Sequence, residues 1–145
     1  MLRIATCQMT SGPDLGANLQ IAESLIRKAA REGANLALLP EMFTIMSNDP
    51  KDVLHAAERY QDGPVQRIMS GLAKSLGIWI AAGTIPLKSD DPKRVTNTLL
   101  STTRLVRKQL ATTRFTFSLT KDSRNATTNP NFTSAVARRF PLIIR

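Results

Sequence analysis

Leu36-Ala37-Leu38-Leu39-Pro40-Glu41-Met42-Phe43 is the stretch on which the fold turns. Its four consecutive apolar residues, set between Asn35 and Pro40, are too few for a helix and suit a strand buried on both faces. Upstream, Leu19, Ala22, Leu25, Ile26, Ala29 and Ala30 form one apolar stripe at helical spacing, while Gln20, Glu23, Arg27, Lys28 and Arg31 cover the other side. Gly33 follows where a helix would end in a left-handed residue. Ahead of that helix, the turn signals Gly12-Pro13-Asp14 close an alternating stretch over residues 2–9. Leu2, Ile4 and Thr6 share one of its faces, and Arg3, Ala5 and Cys7 the other. Strand, helix and strand in this order predict a right-handed parallel crossover.

Beyond the polar loop Ser47-Asn48-Asp49-Pro50, residues 51–60 and 64–76 read as helices, the second carrying Val65, Ile68, Leu72 and Leu76 on one stripe with Gly77 behind it. Residues 78–85 form a further buried strand. Residues 94–100 alternate more loosely and read as a strand after the polar turn Lys88-Ser89-Asp90-Asp91-Pro92-Lys93. No internal repeat is visible, and the class is α/β.

The net charge of +9 invites a nucleic-acid reading, so its distribution matters more than its total. Residues 1–100 carry 11 basic and 10 acidic side chains, whereas residues 101–145 carry 9 basic side chains against the single acid Asp122. The excess is thus a property of the tail, which also holds nine threonines and no glycine. Leu105, Val106 and Leu110, then Phe115, Phe117 and Leu119, give it only a weak helix or a weak alternation, and residues 125–131 are polar breakers. Little stable structure is expected there, because scattered apolar residues do not offset an ordering cost of about 1–2 kcal/mol per residue.

The longest apolar runs are too short to span a bilayer, and no secretory signal is visible, so the expectation is a cytoplasmic protein. One cysteine, Cys7, excludes an intramolecular disulfide and a multi-thiolate metal site, and the lone His55 adds no metal cluster. His55 reads as a partly exposed helix residue, and Cys7 as a core residue of the first strand. No metal or cofactor is expected.

Glu41 sits just past the carboxyl end of a strand, where open α/β sheets place their sites. Apolar neighbours on both sides would desolvate its carboxylate and push its pKa towards neutrality, as a general base requires. A glutamate that merely opens a loop or caps a helix fits the same spacing.

Several segments in order carry a family resemblance. Ile4-Ala5-Thr6-Cys7-Gln8-Met9, Ala17-Asn18, the run from Gly33 to Phe43, Gly63-Pro64, the run from Leu76 to Ile85, and Val95-Thr96-Asn97-Thr98-Leu99-Leu100 together resemble the amino-terminal part of the nitrilase superfamily of carbon–nitrogen hydrolases. The nearest group is that of amidases acting on small ω-amide acids or deaminated glutathione. The resemblance implies an α-β-β-α sandwich, here incomplete because only residues 1–100 match, followed by a poorly structured basic tail over residues 101–145. It implies a cysteine nucleophile attacking a small amide, with a glutamate base and a lysine beside it, and of these only Glu41 is matched, as the general base. Lys108 and Lys121 stand near the expected lysine but lack its flanking pattern, and both read as solvated. Asn97 matches a family strand and reads as structural. A chain holding only this part is expected to be inactive alone, and a family-like homo-oligomer is put in doubt.

The genetic code suggests why the tail departs. Read from the third base of each codon through the first two of the next, the codons running to Ser118 permit Tyr-Asp-Lys-Ile-His-Leu-Phe, and those from Ser101 permit Tyr-Asp-Ala-Ala-Gly-Glu. Both runs are how the family continues, which points to a one-base frameshift near the codons for Leu100 and Ser101. The competing reading is a non-enzymatic α/β binding module whose basic tail binds RNA or an acidic partner. That tail has no tyrosine or tryptophan and no RNA-binding motif, so nucleic acid is not the expected partner.

Overall fold

The computed structural model describes residues 1–102 and, as backbone, residues 109–118. Its elements run β1 (Ile4–Thr6), α1 (Leu15–Arg31), β2 (Leu36–Leu38), α2 (Pro50–Ala56), α3 (Pro64–Leu76), β3 (Trp79–Lys88), β4 (Arg94–Thr102) and β5 (Gln109–Ser118). They build one sheet in the order β1-β2-β3-β4-β5, with β1, β2 and β3 parallel and β3, β4 and β5 antiparallel.

Local chemistry explains where the helices begin and end. The Asp14 side chain accepts from the Ala17 amide at 3.0 Å to start α1, and Gly33, at φ 82°, follows its end in the left-handed region. Asp49 caps α2 by accepting from the Lys51 amide at 2.9 Å, with Pro50 in the first turn. The α3 cap, Gly63, has no side chain of its own to offer. Glu58, buried five residues upstream, supplies the carboxylate instead, accepting from the Val65 amide at 2.6 Å and from Gln66 Nε2 at 2.9 Å. A Cβ on Gly63 would lie 1.9 Å from Glu58 Oε2, so this approach needs glycine.

The apolar stripes of α1 and α3 cover one face of the sheet, burying Ile26 and Met69 against Ala37, Ile80, Ile85 and Leu100. A β-bulge between Ala81 and Thr84 aligns this face. Ile80 precedes it, Ala82 lies within it and Ile85 and Leu87 follow it, and the odd step from Ala82 to Ile85 keeps all four on the core side only because an extra residue is inserted.

The opposite face differs from the sequence expectation. Instead of strands buried on both sides, β1 and β2 expose Ile4 (55%) and Leu38 (39%), and β3 exposes Trp79 (39%). The cause is that α1 and α3 pack on the same side, and α2 reaches only the far end, where Val53 and Ala57 pack on Val95. The described residues thus form a helix layer and a sheet layer, an α/β arrangement.

Within the tail, residues 109–118 form a strand paired along β4, on the stretch where the sequence alternates weakly. Lys108, Lys121 and the breaker segment 125–131 lie outside the described residues. Among the described residues, no helix is long and apolar enough to cross a membrane.

Candidate active site

The ladder through β1, β2 and β3 runs to the residue before Pro40. The Cys7 amide donates to the Leu38 carbonyl at 2.8 Å, and the Leu39 amide to the Ala81 carbonyl at 2.9 Å. Pro40 has no amide to continue it, so the chain leaves the sheet there. Its carbonyl settles onto the bulge at Gly83, where a Cβ would lie 1.8 Å from Pro40 O and where φ is +49°. Glycine is required on both counts.

Past Pro40 the loop is fastened on two sides. On the β3 side, the Met42 amide donates to Thr84 Oγ1 at 3.0 Å, with Met42 itself held at φ 51°. A methionine in that region is strained, and such strain is maintained only where the surroundings over-determine it. On the other side, Asn18, 3% exposed, donates from Nδ2 to the Thr44 carbonyl at 2.9 Å and the Gly12 carbonyl at 2.8 Å, and accepts from the Gly12 amide at 3.0 Å. Ser11 Oγ donates to the Phe43 carbonyl at 3.1 Å. Phe43, Thr44 and Ile45 are buried beneath these contacts.

Glu41 is exposed at the start of this fastened loop. Its Oε1 accepts a hydrogen bond from Asn97 Nδ2 at 2.9 Å, across 56 residues of sequence. Asn97 lies on β4 between the buried Thr96 and Thr98, so by strand alternation it points to the opposite, open face of the sheet. The carboxylate therefore stands over that open face. Apolar neighbours in sequence do not enclose it, because Phe43 turns into the core and Met42 is held against Thr84.

The two oxygens of Glu41 are unequal. One is held by the Asn97 amide, and the other has no hydrogen-bond partner among the described residues. Asn97 is unequal too, since its Oδ1 is buried without a hydrogen-bond partner. An unsatisfied buried acceptor costs about 1–3 kcal/mol, so the amide is an expensive choice for a strand residue.

Cys7 is buried, and desolvation raises its thiol above the ordinary value, the reverse of what an activated nucleophile needs. His55 is exposed in the last turn of α2. Two clefts of about 360 and 320 Å³ lie where α2 meets β3 and the turn after it, and neither is lined by Glu41. The sequence singles out Glu41 at the strand end and reads Asn97 as structural, and the contact between the two is one that no local spacing encodes.

A family model, that of the carbon-nitrogen hydrolases, matches residues 3–107. The chain belongs to this family. Human deaminated glutathione amidase is 38% identical over 88 residues, which are 61% of this chain and 27% of that protein. A nitrilase of Pyrococcus abyssi is 32% identical over 95 residues, covering 62% of this chain and 36% of that one. Among solved structures, the C. elegans NitFhit protein aligns with a TM-score of 0.67 at 26% identity, over 80% of this chain and 28% of that one. This carbon–nitrogen hydrolase chain spans about a quarter of the length of the mammalian deaminated glutathione amidases it matches, 26–27% of each.

Proposed function

We propose that residues 1–100 are the base-bearing part of a cysteine-nucleophile amidase for small amides, with Glu41 as general base. The observation carrying this reading is the exposed Glu41 carboxylate, fastened at a strand end and held on one oxygen by Asn97. In the proposed reaction Glu41 removes the proton from a thiol as its sulfur attacks the amide carbon. The same proton passes to the leaving amine as the C–N bond breaks, which leaves a thioester that water hydrolyses. The small-amide class is supported by relatives named deaminated glutathione amidase. An amidase from Nesterenkonia sp. AN1, 25% identical and covering 76% of this chain, was solved with butyramide bound.

Cys7 is not that thiol: it is buried and less acidic than usual. The reading therefore includes the frame change near the codons for Leu100 and Ser101, with residues 101–145 as an out-of-frame peptide and the lysine and cysteine encoded in the other frame. The codon reading supports it, since position 114 is where the shifted codons permit lysine, within the run Lys-Ile-His-Leu-Phe. Sequencing the locus tests this reading directly. A nucleotide sequence unable to encode Lys-Ile-His-Leu-Phe in the alternative frame would overturn it.

A further inference from the structure

We propose that Asn97 is a positioning residue for Glu41, which fixes one carboxylate oxygen so that the other alone meets the proton in transit. The proposal rests on the reading of Glu41 as the base, and three observations carry it. The Asn97 Nδ2 to Glu41 Oε1 bond, at 2.9 Å, joins the end of β2 to the middle of β4 across the intervening strand. The Glu41 side chain is exposed, so packing does not hold it, and the loop contacts at Met42, Phe43 and Thr44 fix its backbone rather than its carboxylate. Finally, Asn97 leaves its own Oδ1 buried and unpaired. A threonine or valine would serve the strand without that orphan, so the amide is explained by the donor it gives to Glu41 rather than by the strand it occupies.

A carboxylate free to rotate offers either oxygen, in many orientations. With Oε1 engaged, Glu41 presents Oε2 in a narrow range, which is the alignment proton transfer between two fixed heavy atoms requires. Asn97 does this without touching the reacting atoms.

The test is nuclear magnetic resonance on the full 145-residue chain. The Asn97 side-chain amide resonances should move through one acid transition as Glu41 takes up its proton, and Glu41→Gln should abolish that movement. Asn97→Asp keeps the shape of the side chain but loses the donor at neutral pH. There the Glu41 methylene groups should become as mobile as those of a free surface glutamate, while in acid, where a protonated carboxyl can donate, they should recover order. A purely structural role for Asn97 predicts instead that Asn97→Asp leaves Glu41 mobility unchanged at both pH values, and that result would overturn the proposal. If Asn97→Asp does not fold, the unsubstituted chain still decides, because Asn97 resonances blind to Glu41 ionisation would sink the idea. Neither outcome depends on turnover, so the positioning claim and the amidase reading fail separately.

Discussion

The two faces of the sheet are made by the same strands yet obey different rules. On the helix side, Ala37, Ile80, Ala82 and Leu100 are each at 0% exposure, packed under α1 and α3. On the other side, Leu38 and Trp79, one step away in the same strands, stand open, as does Ile4 on β1, and Glu41 and Asn97 meet on that side. The covered face holds the fold. The open face carries the polar pair, so fold and candidate chemistry are separated by one residue of strand alternation.

The largest test of this contrast is to restore one base near the codons for Leu100 and Ser101, together with the downstream sequence of the gene. The present chain should show no turnover of a small ω-amide. The restored product should exceed it by at least about 10³-fold, modest beside the 10⁶-fold or more that enzymes give over uncatalysed reactions. An equally inactive product would break the link between the open face and catalysis. Turnover by the present chain with Cys7→Ser would break it differently, by requiring a nucleophile other than the only thiol.

Gly83 sits where the two faces meet, since the bulge that keeps Ile85 on the core side also receives the Pro40 carbonyl. Gly83→Ala should cost about 3 kcal/mol or more, because the new Cβ meets backbone at 1.8 Å and the positive φ disfavours it further. Gly71 gives the opposite sign. It is exposed within α3 with nothing within 4 Å of a Cβ, and Gly71→Ala should stabilise the chain by about 0.5–1 kcal/mol. Urea denaturation measures both, and two equal losses would show that the bulge is not the constraint.

Next comes the contrast between faces itself. Ile80→Ala, at a fully buried position, should cost about 2–5 kcal/mol. Ile4→Ala, at 55% exposure, should stay within about 0.5 kcal/mol of the parent. Similar losses at the two sites would mean that the open face is covered in solution.

These contrasts mark what the sequence could disclose. The helix stripe from Leu19 to Ala30, the Gly33 and Gly77 ends and the buried side of β2 and β3 were legible because helical and strand periods are local. The position of Glu41 just past a strand end was legible because Pro40 closes the apolar run of β2. The one-sided burial of β1 and β2 was not, since an apolar run does not say whether one layer or two will cover it. The Glu58 cap on α3, the Thr84 hold on Met42 and the Asn97 hold on Glu41 were hidden for another reason. Each joins residues that only the folded chain brings together.

The smallest effect concerns Cys7, which separates the two faces by its chemistry. Burial raises its thiol above the ordinary range, so above about pH 8.5 the unfolded chain releases this proton while the folded chain keeps it. The unfolded state then binds fewer protons, and stability must fall as pH rises. The contribution is intact below the ordinary thiol value and is lost as pH climbs towards the raised one. Other groups titrate in the same window, so the readout is the difference between parent and Cys7→Ala in urea denaturation at pH 7 and pH 9.5. The parent should lose more stability than the variant between these two conditions, and its thiol should react slowly with an alkylating agent until urea unfolds it. Parallel pH slopes and fast alkylation of the folded chain would place Cys7 within reach of solvent, and the strongest argument against its being the nucleophile would fall.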